Sequence, residues 1–155
     1  MAKNNLVSVI INCFNGEKYV HQSINSLLNQ TYTHWELIFW DNCSTDKTKI
    51  EFDKLSDPRL NYFLANKHTS QYEARNQALK NCNGEFIAFL DVDDWWNKFK
   101  LEKQLTLFED KQVGFSCTNA WIINERKNKK KIAFKDIPNG KVLENLLQKN
   151  FVTMS

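Results

Sequence analysis

Asp91, Asp93 and Asp94 bring three carboxylates within four residues, directly behind an apolar run ending in Phe89-Leu90 and just ahead of Trp95-Trp96. Carboxylates this close repel one another unless protons or a cation intervene. Asp93 or Asp94 could cap a following helix, yet a cap uses one side chain and leaves two charges without a role. A hard divalent cation resolves the repulsion, because Mg2+ and Mn2+ prefer oxygen ligands and are commonly shared between one or two carboxylates and a phosphate. The partner this implies is a phosphorylated ligand. Its phosphates would be reached through the cation rather than a backbone cradle, since Gly16, Gly84, Gly114 and Gly140 form neither a G-x-G-x-x-G nor a G-x-x-x-x-G-K-[ST] loop.

The elements that must position this cluster are legible as alternating patterns. Leu6 to Ile11, Trp35 to Trp40, Leu60 to Leu64 and Glu85 to Leu90 are short β-rich runs, and the near-continuous apolar character of the first and last predicts buried strands. Between them Val20, Ile24, Leu27 and Leu28 recur at helical spacing, as do Ile50, Phe52 and Leu55, and then Tyr72, Ala74, Ala78 and Leu79. The order β-α-β-α-β-α-β predicts an α/β fold with a mostly parallel sheet flanked by helices. Ligands of such sheets collect beyond the carboxyl ends of the strands. The polar clusters fall there: Asn12 and Asn15 after the first strand, Asp41 to Asp46 after the second, Asp91 to Asp94 after the fourth. Ser44, Thr45 and Asp46 also suit the N-cap of a helix starting near Lys47. Asp41 precedes that cap, where a carboxylate can accept a hydrogen bond from a ligand NH.

With 155 residues, 42% of them hydrophobic and including five Trp and eleven Phe, the chain can build one well-buried core, so residues 1–155 are expected to form one domain. A net charge of +3 is too small to point to nucleic acid. The dense basic block from Arg126 to Lys131 reads first as a solvated hairpin tip, and second as a contact for an anionic membrane surface or acidic substrate. Cys13, Cys43, Cys82 and Cys117 make no C-x-x-C pair and fit reduced thiols of a cytoplasmic protein. The first apolar run ends by Ile11, too short for a secretory signal or a bilayer span, so any membrane association is expected to be peripheral, at the inner face, or through a segment outside this sequence.

Three stretches taken in order carry a specific resemblance: "VSVIINCFNGEKYVHQSINSLLNQTYTHWELIFWDNCSTDKT", "EARNQALKNCNGEFIAFLDVDDWW" and "KLEKQL". Together they resemble the nucleotide-binding half of family 2 glycosyltransferases, which have the GT-A, Rossmann-like fold. A D-x-D alone is common by chance; the ordered set is not. The resemblance implies transfer of a sugar from a nucleoside-diphosphate donor, a UDP-sugar, to a glycan or lipid-linked acceptor, with inversion and with Mn2+ or Mg2+ as cofactor. By position it implies that Asn12, Phe14 and Asn15 border the nucleobase, that Asp41 accepts from a pyrimidine NH, and that Arg75 lies near the diphosphate or supports the acidic cluster. Asp91-Val92-Asp93 matches the D-x-D, giving Asp91 and Asp93 to the nucleotide, and Asp93 with Asp94 to the metal. Trp95-Trp96 would either wall the sugar site or pack in the core.

The departures from the family pattern are Asn12 where proline is usual and Cys43 where glycine is usual, the latter implying a less permissive turn. Similar enzymes draw a general base from a segment well after the D-x-D, and here it is expected beyond Ser155, which makes the chain a C-terminally truncated donor-binding portion. A donor-binding or regulatory module without turnover is the alternative. A receiver domain would need its acidic pair after the first strand, where Asn12-Cys13 stands, and a haloacid-dehalogenase-like phosphatase would need an early nucleophilic Asp.

Overall fold

β-branched and aromatic residues dominate Val7–Cys13 (β1) and Trp35–Asp41 (β2), which pair in parallel from Val7 opposite Trp35 to Cys13 opposite Asp41. In the computed structural model, which describes residues 5–124 and 129–148, Leu60–Leu64 (β3) pairs with the outer side of β2 and Phe86–Phe89 (β4) with the free side of β1. The strand order is β3-β2-β1-β4, all parallel, as the alternating pattern predicts. Two details differ from the sequence reading. β1 and β2 run past their apolar stretches, so Asn12, Cys13 and Asp41 are the last strand residues rather than loop residues. β4, expected to be buried like β1, is half-buried, with Ile87 40% exposed. Its position at the end of the strand order accounts for this, and the strand that shares β1's burial is β2, enclosed on both sides.

Val20–Leu28 (α1) and Thr48–Asp53 (α2) cover one face of the sheet, where Val20, Ile24, Leu27 and Phe52 pack on Val9, Ile11, Leu37 and Phe39. Each such fully buried aliphatic side chain contributes about 1.5–3 kcal/mol. Gln71–Leu79 (α3) lies on the other face and meets it through the small Ala78, against Ile10 and Ile38. Tyr72 and Ile50, counted above among the apolar helix positions, point to solvent, because these short helices need only a narrow stripe to close the core.

The chain divides into two compact units, one reaching Leu105 and the other starting at Thr106, with the boundary inside Lys100–Leu107 (α4). The second unit contains Trp121–Asn124 (β5) and Lys129–Ile132 (β6), paired antiparallel, and the helix Leu143–Gln148 (α5). β5 and β6 flank the basic block as antiparallel partners, with Lys129, Lys130 and Lys131 exposed on strand β6 rather than at a tip, while Arg126, Lys127 and Asn128, where the expected tip falls, lie outside the described residues. Among the described residues no helix is long and apolar enough to cross a membrane.

A polar network sets the register of β4 on β1. The buried Ser8 hydroxyl donates to Glu36 at 2.6 Å and accepts from the Gly84 amide at 2.8 Å, and the Asn83 amide donates to the same carboxylate at 2.7 Å. Burial pushes the Glu36 carboxyl up, but the bonds from Ser8 and Asn83 outweigh it and hold it below its ordinary value. A Cβ on Gly84 would stand 2.5 Å from the Ser8 nitrogen and 2.7 Å from the Leu6 carbonyl oxygen. Since neither backbone atom can step aside without disturbing β1, Gly84→Ala is expected to cost about 2–3 kcal/mol in urea unfolding. An unchanged unfolding midpoint would contradict this packing.

Candidate functional site

The loops after β1 and β2 are cross-braced. The Asn42 amide donates to the Cys13 carbonyl at 2.8 Å, the Asn15 amide to Ser44 Oγ at 2.9 Å, and the Thr45 amide to Asn15 Oδ1 at 2.8 Å. The Gly16 amide donates to Thr48 Oγ1 at 2.9 Å, and the Gly16 carbonyl in turn accepts from Tyr19 and Val20 to start α1. None of the three cap candidates is the N-cap, which is Lys47 without a side-chain cap bond; Asp46, one residue earlier, accepts from the Thr48 amide at 2.9 Å, and Ser44 and Thr45 hold Asn15. Burial pushes Asp46 up, and its bonds from the Thr48 hydroxyl and the Glu17 and Thr48 amides more than reverse that. Asn15 and Cys43 have φ of 55° and 68°. Asparagine tolerates the left-handed region, whereas cysteine there costs on the order of 1 kcal/mol, offset in part by its thiol donating to the Ala65 carbonyl at 3.2 Å.

Asp41, 1% exposed, ends β2 with both carboxylate oxygens engaged: one accepts from the Ser44 amide at 2.6 Å, the other from the Tyr62 hydroxyl. Burial, and then Asp41 itself, push the Tyr62 phenol far above its ordinary range, so it stays a donor. Each oxygen keeps a second lone pair. Beside Asp41, burial and the same carboxylate push the Cys13 thiol up to about 12, which removes thiolate chemistry at neutral pH. On the opposite sheet face, Asn12 Oδ1 and the indole Nε1 of Trp40, at paired register positions, are buried without hydrogen-bond partners among the described residues.

The acidic segment is held at both ends. The Leu90 amide donates to the Ile10 carbonyl at 3.0 Å, and Arg75 from α3 reaches Asp91 at 2.6 Å with its guanidinium side chain only 12% exposed. At the far end, the Trp96 amide donates to Ser26 Oγ at 3.0 Å, and Gln30 binds both the Asn97 carbonyl and the Leu101 amide. Trp96 is therefore a core residue packed with Leu101, and Trp95 is 43% exposed. Between these clamps the Asp94 amide turns back onto the Asp91 carbonyl, Asp93 and Asp94 stay exposed, and Val92 lies against the Asn15-Gly16 turn, 3.0 Å from where a Gly16 Cβ would be. Burial pushes the Asp91 carboxyl up, Arg75 pulls it down, and Asp94 and Asp93 push it up again, with a net rise.

Asn12, Phe14, Asn15, Asp41, Asp91, Val92, Asp93 and Asp94 thus belong to segments that meet at the carboxyl ends of β1, β2 and β4, with Arg75 reaching in from α3. Among the described residues no three His, Cys, Asp or Glu side chains form a ready-made metal cage. Asp91, Asp93 and Asp94 offer only oxygen donors, the donor type that a hard cation prefers. Tyr62, which fixes Asp41, was not singled out from the sequence, because its partner is 21 residues away and on another strand. The carboxylates after the acidic segment, Glu102, Glu109, Asp110, Asp136 and Glu144, are all exposed; Glu125 lies outside the described residues.

Residues 8–154 match the family described as Glycosyl transferase family 2. The chain is 38% identical over 145 residues to the Escherichia coli UDP-Glc:alpha-D-GlcNAc-diphosphoundecaprenol beta-1,3-glucosyltransferase WfgD, covering 94% of this chain and 56% of that one. Residues 1–349 of S. aureus TarS, solved in complex with UDP-GlcNAc, superimpose with a TM-score of 0.62 at 31% identity, over 68% of this chain and 32% of that one. The mannosyltransferase PcManGT from Pyrobaculum calidifontis, solved with GDP-Man and Mn2+, shares the fold with a TM-score of 0.67 at 24% identity, over 74% and 35% of the two chains. The chain spans about half the length of the curated relatives it matches.

Proposed function

Because the chain belongs to glycosyl transferase family 2, with the mostly parallel α/β sheet of GT-A enzymes, we propose that residues 1–155 are one domain that binds a UDP-sugar for transfer to a lipid-linked or glycan acceptor. The observation that carries the reading is the acidic arch: a segment clamped by Arg75 and Gln30 that presents Asp93 and Asp94 to solvent beside the braced β1 and β2 loops. Exposed like charges at a rigid rim favour a ligand over folding. WfgD's UDP-Glc donor and diphosphoundecaprenol acceptor, and the UDP-GlcNAc complex of TarS, support the choice of uridine and of a lipid-linked acceptor.

In this reading Phe14 and the Asn12–Asn15 segment border the base, Asp41 accepts from its NH through a remaining lone pair, and Asp91 and Val92 line the nucleotide. Asp93 and Asp94, with Mn2+ or Mg2+, would hold the diphosphate. The cation supplies charge that offsets the departing nucleoside diphosphate. Arg75 keeps Asp91 oriented and adds a positive charge toward the diphosphate. Transfer proceeds with inversion, the acceptor's proton going to a base that we assign to none of the described residues. The protein works in the cytoplasm, peripherally on the membrane that carries its acceptor. A chain that binds donor without turning it over is the second reading, favoured by the exposure of every described carboxylate after Asp94.

A thermal-shift panel tests the donor class. With Mn2+ present, UDP, UDP-glucose and UDP-GlcNAc at about 100 times Kd should stabilise the fold by about 2.7 kcal/mol, with GDP and ADP giving much less. Stabilisation by purine nucleotides alone would contradict the uridine reading.

A further inference from the structure

The structure places a second aromatic ring on the rim that no spacing rule flags. Phe14, the first residue after β1, is 49% exposed, and the exposed His68 ring from the loop after β3 packs on it with centroids 4.3 Å apart at 53°. Neither ring belongs to a core cluster. His68 is nevertheless held in place. Its Nδ1 lies 2.9 Å from the Asn42 carbonyl oxygen. A carbonyl oxygen only accepts, so Nδ1 carries the proton in that bond. Asn42 is itself fixed at β2's end: its side chain donates to the Thr69 carbonyl at 2.8 Å and accepts from the Thr69 amide at 3.1 Å, and its own amide is bound to Cys13. The Ala65 amide donates to the Asp41 carbonyl at 2.8 Å, which ties the start of the same loop to the same strand end. Two exposed rings from separate loops are thus held beside the end of β2, Phe14 directly after β1 and His68 on the Asn42 carbonyl next to Asp41.

Rings in contact at this distance leave no slot for a base between them, so what they offer is one continuous aromatic surface facing solvent. We propose that His68 is a positioning residue for the nucleobase of the donor: together with Phe14 it forms the platform on which the base stacks, the Asn42 carbonyl fixing the angle of the imidazole. This rests on the nucleoside-diphosphate reading above. Stacking uses the face of the ring, so another aromatic residue at position 68 retains it and a small aliphatic one does not.

The test is calorimetric titration of UDP and of inorganic pyrophosphate, both with Mn2+, into the wild-type chain, His68→Ala and His68→Phe. His68→Ala should weaken UDP binding about five- to tenfold, within the range of aromatic–base stacking. It should leave pyrophosphate binding and the melting temperature unchanged, and His68→Phe should restore UDP affinity to within about twofold. UDP affinity unaltered in His68→Ala, or pyrophosphate and UDP weakened together, would overturn this inference alone. A wild-type chain that binds pyrophosphate but gains nothing from uridine would overturn it together with the uridine reading.

Discussion

Asp91→Asn should lower metal-dependent UDP affinity by about 30- to 150-fold, the roughly 2–3 kcal/mol of a hydrogen bond to a charged group, while changing stability at pH 7.5 by less than about 1 kcal/mol. The two halves of this result have different causes. Asp91 sits where burial, Asp94 and Asp93 disfavour its charge more than Arg75 favours it, so its carboxyl is raised in the folded chain. A raised carboxyl means that the folded state holds its proton to higher pH than the unfolded state. Its contribution to stability is therefore full below the unfolded value, falls as pH rises through the raised value, and is absent above it. Asparagine avoids that loss, still offers Arg75 an oxygen at the same position, and forfeits only the ion pair, so the two changes nearly cancel near neutrality. Urea unfolding from pH 4 upward should show the variant gaining on the wild type as pH rises through that window. A loss of 3 kcal/mol or more at pH 7.5, the usual result of breaking a buried ion pair, would make Asp91 a structural residue.

Asp41→Ala should do the opposite and unfold easily, by about 3–5 kcal/mol, because it empties a buried acceptor site and strands two part-buried donors at once. Ser44's amide and Tyr62's hydroxyl both end on that carboxylate, and the phenol has no route to ionise instead. At about 2–4 °C per kcal/mol for a chain of this size, the melting temperature should fall by roughly 10 °C. Asp41→Asn, which keeps one acceptor, should lose about half as much. Melting of Asp41→Ala within a degree or two of wild type would show that these bonds do not hold the rim together. The variant's uridine affinity, measured below its melting point, separately tests whether the remaining lone pairs meet the base.

The contrast between these two aspartates marks how far the sequence could be read. The parallel sheet was legible, because β-branched runs alternating with 3.6-residue stripes leave little else for residues 6–90 to form. The convergence of Asn15, Asp41 and Asp91 on one rim followed from that topology. What each polar residue does there was not legible. Ser44 and Thr45 have the composition of a helix cap, yet they brace Asn15 across 29 and 30 residues of chain. Local preference gave no sign of a long-range partner that satisfies the same hydroxyl and amide. Tyr62 and His68 were missed for the same reason, their roles lying in residues 21 and 26 positions away. Trp95 and Trp96, adjacent and chemically identical, divide between solvent and core only because the Trp96 amide is anchored on Ser26 of α1.

The central claim is that a rim of clamped, exposed carboxylates takes a uridine diphosphate through a divalent cation, and the most direct test is isothermal titration of UDP into the chain with Mn2+ and then with EDTA. The account predicts binding with Mn2+ and, in EDTA, affinity weaker by about 100-fold or more, since bare phosphates must then approach Asp91, Asp93 and Asp94 unscreened. Equal affinity in Mn2+ and EDTA, or no heat in either, would contradict it.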